Sequence, residues 1–195
     1  VGSGNFDRMA KTAAILKRLP DPLGAYQFVE VGVYQGRNIA GVGQQRSQAI
    51  LTAVDPWRNV ASKDYLETGD YIAFNSDKQQ EEDYQLYLAH TWFLGDQGQK
   101  RLNEMRMTSL GASKFHEDNS KDMVFLDGDH SESGVTKDIN AWWSKVKPGG
   151  WLGGHDYDYP GMNFGVKAAV NRFVTENNLT LQLDVDYTWF VRKPK

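Results

Sequence analysis

The chain has 195 residues, 40% of them apolar and 24% charged, with 22 basic against 25 acidic side chains and a formal net charge of -3. This is the balance of one globular domain with a substantial core, and the missing basic excess argues against a nucleic-acid partner. There are no cysteines, which excludes disulfides, thiolate nucleophiles and zinc–thiolate sites. No apolar run approaches the roughly 20 residues that span a bilayer, so no membrane partner is expected. The start, Val1-Gly2-Ser3-Gly4, reads as a trimmed end with no secretory pattern behind it. The expected location is cytoplasmic, and a homo-oligomer is left open.

Phe6, Met9, Ala10, Ala13, Leu16 and Leu19 recur at helical spacing and predict an amphipathic helix over residues 6–19. Pro20-Asp21-Pro22-Leu23-Gly24 breaks it. A buried strand follows at 27–31 (QFVEV), then a glycine-weakened helix at 37–45 (RNIAGVGQQ). Further apolar runs end in acids at 49–55 (AILTAVD) and 123–130 (MVFLDGDH), with a short strand, EMRM, between them. Another run, 151–158 (WLGGHDYD), is introduced by the turn signal Lys147-Pro148-Gly149-Gly150. Helices are predicted over 135–146 and 164–174, the latter as core packing. The tail forms two strands around a tight turn at Asp186.

Strands alternating with helices predict an α/β fold: a Rossmann-like, doubly wound, mostly parallel sheet of seven strands with an antiparallel final strand. Roughly 50 residues separate Asp55 from Met105, far more than one crossover helix needs. The segment 58–103 is therefore read as a helical, aromatic-rich insertion after the second strand. It packs on the sheet edge, caps the ligand crevice, or does both. The whole chain, 1–195, is read as one domain.

Ligands of parallel sheets sit beyond the carboxyl ends of the strands, near the switch in strand order. The first strand exits through Glu30-Val31-Gly32-Val33-Tyr34-Gln35-Gly36. Gly-x-Gly-x-x-Gly and Gly-Lys-Ser/Thr are both absent, which disfavours a pyrophosphate ligand. Glu30 instead suits a cationic or donor-rich group, such as the amino-acid end of S-adenosylmethionine. Asp55, at the second strand's exit, stands where an acid takes both ribose hydroxyls, and Pro56 and Trp57 could wall an adenine.

Together VEVGVYQGRN, AVDPW, MVFLDGDHSESGV, KPGGWLGGHDYDYPG and GVKAAVNRFV resemble class I S-adenosylmethionine-dependent methyltransferases. The likeness is to the small-molecule O-methyltransferase branch that includes sugar O-methyltransferases and, more distantly, catechol O-methyltransferase. It covers roughly residues 27–58 and 104–193. The resemblance implies that Glu30, Gly32 and Gly36 line the methionine end of the cofactor and that Asp55 holds the ribose. Trp57 and Ser109 would flank the adenine, although the acid that many relatives carry near Ser109 is missing from that run. Val33, Tyr34, Asn38, Pro56 and Asp127 complete the expected cofactor-binding set.

Methyl transfer to oxygen needs the acceptor held about 3 Å from the methyl carbon and its proton removed or its pKa lowered. Asp127 and Asp156 end neighbouring strands and suit Mg²⁺ or another hard divalent cation. The resemblance implies the same, because catechol-type relatives bind such an ion at these strand ends. His130 stands where those relatives carry their basic catalytic residue, and it is read with Asp127 as catalytic, His130 serving as general base. The chain departs from the catechol-type Asp-Asn with His155-Asp156. His155 is thus a third candidate metal ligand and would shift preference toward softer ions. Asp129 is either a ligand or the cap of the helix near Ser131. Tyr157, Asp158 and Tyr159 are turn chemistry or site, Asn163 is placed to face the pocket, and His90, Lys114 and His116 have no assigned role. The expected acceptor is a hydroxyl on a small polar molecule: a sugar or polyol ahead of a catechol-like ring, with the aromatic insertion arguing the other way. A non-catalytic cofactor-binding protein and an NAD or nucleotide-sugar enzyme are the competing readings.

Overall fold

A computed structural model describes residues 6–195, with side chains described from Ala10 onward; the expectation for residues 1–4 lies outside this range. Seven strands form one sheet: β1 (Gln27–Val31), β2 (Ile50–Val54), β3 (Leu102–Met105), β4 (Lys121–Leu126), β5 (Val146–Gly154), β6 (Leu181–Leu183) and β7 (Trp189–Arg192). Their order is β3-β2-β1-β4-β5-β7-β6. β1 to β5 pair in parallel, while β7 runs antiparallel to both β5 and β6. The chain order reverses between β1 and β4, which opens the ligand crevice at their carboxyl ends.

The inner strands are apolar at nearly every position because helices cover both faces. Side chains alternate between the two cores with a period of two. Phe28, Leu51, Ala53, Met123 and Phe125 face one core, with Ile15, Ile39 and Tyr87. Val29, Val31, Val54, Val124 and Leu126 face the other, with Val135, Ile139, Trp142 and Val170. The first layer carries α1 (Phe6–Arg18), α2 (Arg37–Gln45) and α4 (Asp77–Trp92); the second carries α6 (Ser109–Ser113), α7 (Glu132–Trp143) and α8 (Val166–Glu176). Among the described residues no helix is long and apolar enough to cross a membrane.

Three local expectations need correction. Of the predicted α1 stripe Leu19 is buried, but Ala13 is exposed and Leu16 half-buried, and Ala14 and Ile15 face the core instead. The Phe6 and Met9 side chains lie outside the described range. Lys11 and Arg18 therefore share the inward face at helical spacing. Arg18 is held there by an ion pair with Asp184 and by lying 3.9 Å over the Phe190 ring. Lys147 to Gly150 do not form a turn ahead of β5 but belong to its start, where a register shift against β4 absorbs Pro148. α8 begins at Val166, which frees Phe164 to pack its ring on His130 at 4.6 Å.

The insertion folds as α3 (Lys63–Glu67), a 3-10 turn (Tyr71–Phe74), α4 and α5 (Gly95–Gln99). A capping box starts α4: Ser76 accepts from the Gln79 N–H, and the Gln79 side chain accepts from the Ser76 N–H. Tyr84 and Tyr87 of α4 stack in the core beside Trp57, whereas α3 and the 3-10 turn reach over the crevice.

Candidate active site

A cavity of about 540 Å³ lies beyond the carboxyl ends of β1, β2 and β4 and is roofed by residues 58–73 and Gln80. Its floor depends on two glycines. Gly32 has a φ of 80°, and a Cβ there would sit 2.1 Å from the Asp127 carbonyl oxygen. Gly36, at a φ of 74°, starts α2, and a Cβ there would strike the Tyr87 ring at 2.6 Å. Both positions need a residue without a side chain.

Glu30 follows Phe28 by two positions, so strand alternation turns it toward α1 and α2. It is 1% exposed. One carboxylate oxygen accepts from Asn38 Nδ2 at 2.9 Å, Asn38 in turn accepts from Thr12 Oγ1 at 2.7 Å, and the other Glu30 oxygen is buried without a partner. Burial raises this carboxyl to about 7, against the pull of Lys11 and Asn38. A carboxyl neutral below that pH cannot pair with an ammonium. Affinity for S-adenosylhomocysteine is therefore expected to weaken by up to about tenfold per pH unit below 7. Calorimetry from pH 5.5 to 8.5 reads this, and Glu30→Gln should bind weakly with a flatter profile.

Asp55 accepts from the Tyr34 N–H at 2.9 Å and from the Trp57 N–H at 2.8 Å. Burial raises it to about 6 in spite of these bonds. Val33, Tyr34, Asn38, Pro56 and Ser109 all line the crevice with it. Trp57 does not. Its backbone has a φ of 40°, which turns the indole into the core, where Nε1 donates to the Tyr34 carbonyl at 2.8 Å. It supports the cofactor loop from beneath and is not an adenine wall. The acid missing near Ser109 comes from α7: Asp138 lines the same part of the crevice and is raised to about 7 by burial, partly offset by its bond to Ser109. Its signal was an acid inside the apolar stripe Val135, Ile139 and Trp142.

The cation-side groups converge next to this pocket. Asp127, His130 and Asp156 each bring one donor atom within 4.8 Å of the others. Asp156 holds a φ of 60°, a strained backbone that aims its carboxylate at Asp127. His130 Nε2 is 3.1 Å from Asp156 Oδ2 and 3.5 Å from Asp127 Oδ1, yet this buried nitrogen makes no hydrogen bond. Two carboxylates and an imidazole gathered this closely form a donor set that suits a shared ion. Two carboxylates with an imidazole favour Mn²⁺, Fe²⁺ or Zn²⁺ over Mg²⁺. His155 is not part of that trio. Its Nδ1 reaches the same carboxylates at 3.5 and 3.1 Å and its Nε2 faces Asp186 at 3.3 Å, so it flanks the two carboxylates as His130 does, with a carboxylate behind the ring.

His130 is not placed as a general base. Its Nδ1 lies 2.8 Å from Asp70 Oδ2 and its Nε2 faces the two acids. Burial alone would lower its pKa, but Asp127, Asp70 and Asp156 raise it to about 10. His155 is raised to about 11, with Asp127, Asp156 and Asp186 overcoming burial. A proton held in this way blocks both proton acceptance and ligation; a cation on the two carboxylates would displace it and leave a neutral imidazole with Nδ1–H on Asp70. Lys11 of α1 bonds Asp127 Oδ2 and supplies the counter-charge that sequence spacing could not show.

The remaining candidates separate cleanly. Asp129 accepts from the Ser131 N–H at 2.9 Å, while Ser131 caps α7 by accepting from Gly134 at 3.0 Å; Asp129 serves the helix start and stays out of the trio. Asn163 is exposed, and its N–H reaches the Thr68 carbonyl at 3.1 Å. Asp158 pairs with Lys167 at 2.8 Å. His90 Nδ1 lies 2.7 Å from the Gln35 carbonyl, and His116 packs on Trp142, away from the crevice; Lys114 is exposed.

A family model described as a methyltransferase domain matches residues 29–157. Among solved structures, the O-methyltransferase NovP is 12% identical, with 97% of this chain and 78% of that chain covered and a TM-score of 0.62. A candidate caffeoyl-CoA O-methyltransferase from Staphylococcus aureus is 13% identical, covering 100% and 85%, with a TM-score of 0.65. The 1,6-didemethyltoxoflavin-N1-methyltransferase of Burkholderia thailandensis, solved with S-adenosylhomocysteine, is 12% identical, covering 99% and 80%, with a TM-score of 0.61. No curated protein sequence matches. A switch-point crevice with acids at the first two strand exits defines a class I S-adenosylmethionine-dependent methyltransferase, and the resemblance to the small-molecule O-methyltransferase branch holds for the fold. The chain belongs to the methyltransferase-domain family.

Proposed function

We propose that this methyltransferase transfers the methyl group to a hydroxyl of a small molecule, with Asp127, His130 and Asp156 holding a divalent ion beside the cofactor. The observation that supports it is the adjacency of two sets of groups at one sheet edge. Glu30 and Asp55 line the crevice for the amino-acid and ribose ends, and Asp127 and His130 line the same crevice. S-adenosylmethionine supplies the electrophilic methyl. A bound cation would supply the Lewis acidity that makes a hydroxyl nucleophilic near neutral pH.

The protein's own side chains do the rest. Glu30 and Asn38 hold the amino-acid end, Asp55 the ribose, and Ser109 with Asp138 the adenine side. Lys11 offsets the negative charge gathered by Glu30, Asp127 and Asp156. The insertion limits water access and presents Val60, Tyr65, Tyr71 and Ile72 to the crevice. Those walls fit a hydroxylated ring better than a bare polyol. The N-methyltransferase among the similar folds is a reminder that fold does not choose the acceptor atom.

The test follows S-adenosylhomocysteine release with catechols, sugars and amines as acceptors, before and after chelation. Turnover with a hydroxylated acceptor, lost on chelation and restored by Mn²⁺, is expected. Turnover with amines alone would overturn O-methylation, and chelator-insensitive turnover would overturn the ion.

A further inference from the structure

The insertion does more than wall the crevice. Asp70 lies between α3 and the 3-10 turn and is 4% exposed. Its Oδ2 is 2.8 Å from His130 Nδ1 and also accepts from the Tyr65 hydroxyl at 2.9 Å. Its Oδ1 accepts from the Ile72 N–H at 3.0 Å, and its own N–H donates to Thr68 Oγ1 at 3.2 Å. Both carboxylate oxygens are thus fixed within the insertion before they meet the imidazole. The His130 ring is held further by Phe164 at 4.6 Å and by the edge of Tyr65 at 6.1 Å.

We infer that Asp70 is a positioning residue that orients His130 for the ion and so links the order of the insertion to the ion's presence. This rests on the divalent-ion reading above. An imidazole whose Nδ1–H is donated to a carboxylate presents its Nε2 lone pair in a fixed direction, and such partners are worth roughly 10–100-fold in metal affinity. A contact that only anchored the insertion would not require Nε2 to converge with Asp127 and Asp156. The segment that carries Asp70 also carries Tyr65, Tyr71 and Ile72, which line the acceptor side. By linkage, whatever favours the ordered insertion favours the ion, and the reverse holds equally.

The test titrates Mn²⁺ into the full chain by electron paramagnetic resonance, with S-adenosylhomocysteine affinity as the control for an intact fold. Asp70→Ala is expected to weaken Mn²⁺ binding roughly 10–100-fold and to leave S-adenosylhomocysteine affinity within about twofold. Asp70→Asn, whose amide oxygen can still accept from Nδ1–H, should recover part of the loss. In the wild type, Mn²⁺ should slow amide exchange across residues 62–75, and in Asp70→Ala it should not. If Asp70→Ala fails to fold, Tyr65→Phe removes one bond to the same carboxylate and should weaken Mn²⁺ several-fold. Unchanged Mn²⁺ affinity in folded Asp70 variants would overturn the inference and leave the ion reading standing. A wild type that binds Mn²⁺ no better than Asp127→Asn would overturn the ion reading itself, and the inference with it.

Discussion

Replacing Asp127 with Asn is expected to lower kcat/KM by about a thousandfold while leaving S-adenosylhomocysteine affinity within a few-fold. Burial would raise this carboxyl, yet Lys11, His155 and His130 hold it well below the ordinary carboxylate range. The neutral amide removes the negative charge that these three cations share. Stranding a buried charge in this way costs about 3–5 kcal/mol, and a loss of about 4 kcal/mol expressed at the transition state corresponds to about three decades in rate. The ion-pairing sign agrees. A carboxylate with a depressed pKa stabilises the fold above its unfolded pKa, and that contribution is lost as pH falls through the depressed value. Steady-state kinetics with calorimetry on the same preparation separates the two effects. Turnover within tenfold of wild type would remove Asp127 from the chemistry.

Gly32→Ala should be as damaging by a different route. The added Cβ would fall 2.1 Å from the Asp127 carbonyl oxygen and 2.6 Å from the Gly128 Cα, both backbone atoms, at a φ of 80°. No rotamer change relieves a backbone clash. The carboxyl ends of β1 and β4 must separate, which breaks the Asp127 N–H to Val31 carbonyl bond at 2.8 Å. Strain and overpacking of this kind cost about 2–4 kcal/mol, so thermal unfolding should show a fall of roughly 5–15 °C for a chain of this size. Cofactor affinity should drop along with stability, because the same glycine forms the floor of the pocket. A variant with unchanged melting temperature would mean that the strand ends are looser than described.

What could be read from the sequence follows from where information is local. The inner strands were legible because a parallel strand covered on both faces is an apolar run, and each such run here ends in an acid. Alternation fixes the face of each residue within its strand, and the β1–β4 register then puts Glu30 and Asp127 on the same side. The details that failed were set by partners distant in the chain. The left-handed backbone at Trp57 is decided by what the indole finds beneath the loop, so an aromatic after Asp55 reads the same whether it lines the pocket or the core. His130 as base or as ligand differs in what faces Nε2, here Asp127 and Asp156, while Nδ1 is held by a partner distant in the chain. That partner, Asp70, lies in the insertion, outside the motifs that carry the resemblance in the sequence. Lys11 reaches Asp127 from a helix whose inward face, Ala14, Ile15 and Leu19, overlaps only in part the set read from spacing, and that difference hid a basic residue directed at the cluster.

The most direct measurement is a crystal structure grown with S-adenosylhomocysteine and Mn²⁺, with anomalous data collected for manganese. The proposed site places the amino group against Glu30, the ribose hydroxyls on Asp55, and one anomalous peak among Asp127, His130 and Asp156. Adenosylhomocysteine bound away from Glu30 and Asp55, or manganese absent from that trio at millimolar concentration, would contradict it.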